Sequence, residues 1–148
     1  MTNKLESLLR LVGRELANYQ VCRFHKIPEE MQQTPCDFMG FTVTGRAILI
    51  EAKMVRRTSL PIGMSPGLSK HQWNSLGEAN RAGAIALIVW AHGGTTACLS
   101  MDMAEALAAG RKSIPWSAIP PRFHRGFSRG NRLALLEPWL QVPDRAAV

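Results

Sequence analysis

The 148-residue chain is expected to fold as an α/β protein: a mixed β-sheet with helices covering it, not a doubly wound parallel sheet. Three observations predict this. An apolar stripe at helical spacing opens the chain. Three strand-like runs follow it. A second helical segment then leads into an unbroken apolar run of strand length. Hydrophobic residues make up 46% of the sequence and charged ones 20%, so the chain can bury a core and is not a disordered polymer.

Leu5, Leu8, Leu9, Val12, Leu16 and Tyr19 fall on one face of a helix over residues 4–20. A short strand is expected around Val21–His25. A polar loop with prolines at both ends follows, from Lys26 to Pro35. Phe38–Val43 and Ala47–Lys53 read as two strands joined by a turn at Thr44-Gly45-Arg46. Residues 54–68, basic and then Gly/Pro-rich, are too irregular to predict an element. Ser69-Lys70-His71-Gln72 fits a capping box that opens a helix, and Gly83 stands where a C-terminal glycine would. Ala84–Ala91 reads as a strand buried on both faces. Gly93-Gly94 turns the chain into Thr95–Leu99, Ser100 caps a short helix over Met101–Ala109, and Gly110 stops it. The remainder, residues 111–148, reads as a basic, proline-rich segment of short or irregular elements within one domain spanning 1–148.

Several classes are excluded or disfavoured. The apolar stretch Ala82–Ala91 is broken by Gly83 and is far too short to span a membrane. The first residues carry no apolar signal region, and three widely spaced cysteines (Cys22, Cys36, Cys98) give neither a disulfide framework nor a zinc pattern. A cytoplasmic location is expected. The four histidines lack ligand spacing. Neither a G-x-S-x-G elbow nor a phosphate-binding G-x-x-x-x-G-K-[ST] loop is present, so a hydrolase triad and a nucleotide cofactor are not expected. Lys and Arg exceed Asp and Glu by 18 to 11. That excess favours a polyanionic partner, nucleic acid first. It is concentrated from Arg111 to Arg132, where no acidic residue occurs and Trp116, Phe123 and Phe127 are interleaved. Phosphate contact there competes with a merely solvated basic face.

The candidate chemistry lies at the end of Ala47-Ile48-Leu49-Ile50, which runs into Glu51-Ala52-Lys53. Side chains alternate along a strand, so Glu51 and Lys53 share a face. A carboxylate and an ammonium side by side at the tip of a buried strand are costly to desolvate. With Asp37 they form the acidic-then-E-x-K pattern of a metal-dependent nuclease centre. If the hairpin turn centres on Gly45, Asp37 lies opposite Lys53 and on the face of Glu51. A two-residue turn would put Asp37 on the wrong face, so the pattern requires an odd-length turn or a bulge. Two close carboxylates repel unless a cation joins them. Magnesium takes one or two protein carboxylates plus waters and phosphate oxygens. Asp37, Glu51 and the carbonyl of Ala52 would supply its ligands, with manganese able to substitute. Lys53 would orient or deprotonate the attacking water, or stabilise the pentacovalent state.

Asp37, Glu51-Ala52-Lys53, Thr58-Ser59-Leu60-Pro61 and His71-Gln72 together resemble the PD-(D/E)XK core of RecU-type Holliday junction resolvases. Leu5-Glu6, His25-Lys26 with Pro28, the apolar strand Ala84–Ala91, and Arg111-Lys112-Ser113-Ile114 are similar at like spacing. The resemblance implies a restriction-endonuclease-like fold and a homodimeric, magnesium-dependent endonuclease, bacterial or phage-encoded, that nicks four-way DNA junctions symmetrically. It also implies Glu6 as the first-helix acid, for which Glu15 competes, and Gln72 as the helix glutamine beside the active site; Gln72 has a rival role as the capping residue. Only Glu29–Cys36 connects to the motif aspartate, too short for the RecU stalk, which brings the chain closer in size to the compact archaeal resolvases. Arg56 and Arg57, Lys70, and Arg122, Arg125 and Arg129 are the candidate DNA contacts. Two readings remain beside this one: another nuclease on the same core, of restriction or repair type, and a non-catalytic basic DNA-binding protein.

Overall fold

The computed structural model of the protein describes residues 4–28, 36–126 and 133–140. Helix α1 (Lys4–Asn18) buries Leu5, Leu9, Val12 and Leu16, the expected stripe. It ends two residues early because Gln20 turns into the left-handed region (φ 57°), which a helix cannot continue. Strands β1 (Cys22–Lys26), β2 (Phe38–Thr42) and β3 (Ala47–Met54) follow. After β4 (Ser59–Pro61) come helix α2 (Lys70–Arg81), β5 (Ile85–His92), β6 (Thr95–Ser100) and helix α3 (Met101–Ala108). Strands β7 (Ser113–Pro115) and β8 (His124–Gly126) close the order, with two short 3-10 turns between them.

Six strands form one sheet in the order β1-β2-β3-β5-β6-β8. Only β3 and β5 are parallel; the other pairs run antiparallel. A parallel pair needs a long crossover, and α2 supplies it. The sheet is therefore mixed and helix-flanked, as the sequence predicts. Even-numbered β3 residues Ile48 and Ile50 pack with Leu87, Val89, Phe38 and α1. Leu49, on the other face, joins Ile88, Trp90, Leu99, Leu76 of α2 and Ala104 of α3. Each face of the sheet thus has its own apolar cluster, and β3 and β5 lie between the two.

Two expectations need correction. Residues 54–68 do contain an element: β4 pairs antiparallel with β7 in a separate two-stranded sheet. The hairpin turn centres one residue earlier than Gly45. Phe38 faces Ile50 and Phe41 faces Ala47, and the Thr42 N–H donates to the Arg46 carbonyl across a three-residue turn. Gly45 is the last turn residue, at φ +83°, the left-handed position that ends a three-residue hairpin loop. The turn is odd in length, so face parity is kept. Asp37 now stands opposite Glu51 instead of Lys53.

Gly40 allows β1 and β2 to approach: a Cβ there would collide with the backbone of Arg23 and Phe24. The loop before Asp37 (residues 29–35), Phe127, Arg129 and Arg132, and the chain beyond residue 140 lie outside the described residues.

Candidate active site

Glu51 and Lys53 sit at the C-terminal end of β3, beyond the apolar residues that fix the strand in the core. Their shared face is the one α2 covers. Lys53 Nζ lies 3.3 Å from Glu51 Oε1. Asp37, just before β2, is held by its backbone N–H on the Ile50 carbonyl (3.1 Å) and by its carboxylate: Oδ2 accepts the Ala52 N–H at 2.8 Å. Thus the Asp37 carboxylate touches the E-x-K segment through its central residue.

Gln72 completes the capping box and also reaches Glu51. Its backbone N–H donates to Ser69 Oγ (3.1 Å) and its side-chain Oε1 accepts the Ser69 N–H (2.9 Å), completing the capping box. Its Nε2 then donates to Glu51 Oε1 at 3.0 Å. One amide fixes both the first turn of α2 and the carboxylate of Glu51.

Glu51 is 2% exposed. Burial, and next the negative charge of Asp37, push its pKa up to about 8, against the pull of Lys53. Oε1 is partnered twice, but Oε2 is buried with no hydrogen-bond partner. A buried carboxylate oxygen without a donor is costly in a protein interior. Beside a second carboxylate, it matches the hard-oxygen donor set that a divalent cation takes. Among the described residues no group of three or more His, Cys, Asp or Glu is placed to hold a metal. Asp37 and Glu51 are thus a pair of carboxylates, not a larger cluster.

Glu6 reaches the same end of the sheet from the opposite face. It is buried on α1, and Lys26 Nζ lies 3.6 Å from its Oε1 and 3.5 Å from Asp37 Oδ1. Of the two first-helix acids, Glu6 is the one linked to Asp37. The sequence marks Lys26 only as part of the pair His25-Lys26 and gives it no role; it closes β1 opposite Phe38, the neighbour of Asp37. Cys36 was also passed over. Burial, with the charge of Glu51 next, pushes its thiol up to about 12, so it is an inert neighbour.

The predicted DNA contacts divide. Arg56 and Arg57 are exposed just past β3, and Lys70 is exposed on the first turn of α2, two residues from Gln72. Arg122 is exposed and lies over the Phe123 ring, 4.9 Å from its centroid. Arg125 is engaged with backbone carbonyls of Arg122 (2.6 Å) and His124 (2.7 Å). The register row Met54–Ala91–Thr96–Arg125 places β8 at the same end of the sheet as Lys53. Three strand spacings separate β8 from β3, about 14 Å. Arg129 lies outside the described residues. The next row in, Lys53–Trp90–Ala97–His124, leads from the site into an aromatic cluster. There Trp90 is fully buried and donates to the Val55 carbonyl (2.9 Å), and His124 stacks on Trp116 at 4.7 Å.

No protein-family model matches the chain, and no curated protein sequence matches it significantly. Among solved structures, the chain is similar to Hjc of Archaeoglobus fulgidus, a Holliday junction resolvase from an archaeal hyperthermophile. The two share 18% identity at a TM-score of 0.45, over 68% of this chain and 75% of that one. A likeness of that degree carries no functional argument. Among the described residues no helix is long and apolar enough to cross a membrane.

Proposed function

We propose that this chain is a PD-(D/E)XK endonuclease that resolves four-way DNA junctions by metal-dependent hydrolysis, acting as a symmetric homodimer with an active site in each copy. The observation that carries this reading is the buried Oε2 of Glu51, which has no hydrogen-bond partner, in a carboxyl group that interacts with Asp37 and has Lys53 on its other oxygen.

Magnesium, or manganese in its place, would activate the attacking water and neutralise charge on the scissile phosphate. Asp37 and Glu51 would hold the cation, with the Ala52 carbonyl a further ligand. Gln72 fixes Glu51 Oε1 and so leaves Oε2 as the free donor. Lys53 is placed to orient the water or to meet charge developing at phosphorus. Glu6 acts on Asp37 through Lys26. Arg56, Arg57 and Lys70 flank this end of the sheet and would track the DNA backbone, as would Arg122 and the basic C-terminal segment. A two-fold pair of such sites suits symmetric nicking of a junction. Of the resolvase groups, the compact archaeal kind fits better than the stalked RecU kind, because only Glu29–Cys36 leads into the motif aspartate.

The test is a labelled four-way junction against matched linear duplex, with and without magnesium. Paired, magnesium-dependent nicks on the junction are expected, lost in Asp37→Asn and Lys53→Ala with binding retained. Preferential cutting of linear duplex would favour a restriction or repair nuclease. Binding without cleavage under any metal would leave a non-catalytic DNA-binding protein.

A further inference from the structure

Lys26 is the cation nearest Asp37 among the described contacts. Its ammonium lies between Glu6 Oε1 at 3.6 Å and Asp37 Oδ1 at 3.5 Å, and its side chain is only 14% exposed. It also rests 5.9 Å from the centre of the Phe38 ring, so the pleat of β1 and β2 fixes its course. An ammonium so enclosed is not a loose surface charge. It bonds the same carboxylate that the proposed metal would need.

We infer that Lys26 is a built-in counter-ion for the metal ligands, holding Asp37 and Glu6 together in the metal-free protein and limiting how tightly the site takes a divalent cation. This rests on the metal-dependent reading above. Three carboxylates (Glu6, Asp37, Glu51) and two ammonium groups (Lys26, Lys53) meet at this end of the sheet. With every group ionised they carry a single net negative charge, and a divalent cation turns that positive. Without Lys26 the loaded site would be neutral. An ammonium at about 6 Å from a doubly charged ion opposes binding by about tenfold in affinity at the dielectric of water, less when salt screens it. Lys26 is therefore a positioning residue: it acts on the metal through Asp37.

The experiment titrates Mn2+ into the metal-free full chain at pH 8.5 and low salt, with free Mn2+ read by electron paramagnetic resonance. Wild type is compared with Lys26→Met and with Lys26→Gln, which keeps a hydrogen-bonding head, after circular dichroism shows that each is folded. The variants should bind Mn2+ about three- to tenfold more tightly. A purely structural lysine would leave affinity unchanged or weaken it, and that result overturns the inference while wild-type Mn2+ binding leaves the metal-dependent reading standing. Absence of Mn2+ binding in every protein overturns both. In wild type, where no variant has to fold, the side-chain NMR signal of Lys26 should shift as Mg2+ is added. A signal that stays put while Mg2+ binds also overturns the inference.

Discussion

Replacing Glu51 with Gln should make the metal-free protein more stable at alkaline pH while removing its proposed cation ligand. The wild-type carboxyl has its pKa raised from 4.5 to about 8, first by burial and then by Asp37. Below pH 4.5 it is protonated whether the chain is folded or unfolded, and nothing is lost. Between 4.5 and about 8 the unfolded chain ionises while the folded one keeps its proton, so stability falls as pH rises. Above about 8 both states are ionised and the loss levels off. At about 1.4 kcal/mol per pKa unit, the full loss is on the order of 5 kcal/mol. Gln cannot ionise and has nearly the same shape, and its carbonyl can still accept from Gln72. Lys53 loses its charged partner in exchange. Between pH 5 and pH 9, the stability of the variant relative to wild type should therefore rise by about 2–4 kcal/mol. Urea unfolding with a chelator present, at several pH values, measures this. Parallel pH profiles for the two proteins would refute the buried, protonated Glu51.

Arg56→Ala combined with Arg57→Ala should weaken DNA binding at all sequences and lower the slope of log affinity against log salt by about 2, as measured by fluorescence anisotropy across a salt series. Gly40→Ala should destabilise the protein by roughly 3 kcal/mol or prevent folding, because the new Cβ meets backbone of β1 that cannot yield; thermal melts would show it. Ser69→Ala should cost about 1 kcal/mol in stability, and nicking should fall as well, since Gln72 loses the hydroxyl that anchors its own N–H; the half-buried cap of α3, Ser100→Ala, should lower stability alone.

The helices and the long strands were legible because local signals agree with the fold. The stripe on α1, the capping box of α2 and the continuous apolar run of β5 each specify an element without help from the rest of the chain. The face shared by Glu51 and Lys53 was legible from strand alternation alone; Asp37 joins it only because the turn is odd in length, which local sequence left open. The register was not: Gly45 marks the end of the loop, where positive φ is needed, and not its middle. Strand β4 was missed because its partner β7 lies some fifty residues on, and Pro61 and Pro115 each end one of these strands. Motif reading marks Lys26 beside His25 but gives it no role, because that role arises in space. It stands on the face of β1 toward α1, and its long side chain reaches the carboxylate of an adjacent strand.

The double duty of Gln72 ties two events that are usually independent. Helix ends fray on fast timescales, and in most proteins that costs little. Here an opening of the first turn of α2 also withdraws the donor from Glu51 Oε1, so thermal breathing at a helix tip becomes flicker in the charge distribution around Glu51. DNA that settles on Lys70 would clamp that tip, and so steady the carboxylate at the moment it is needed.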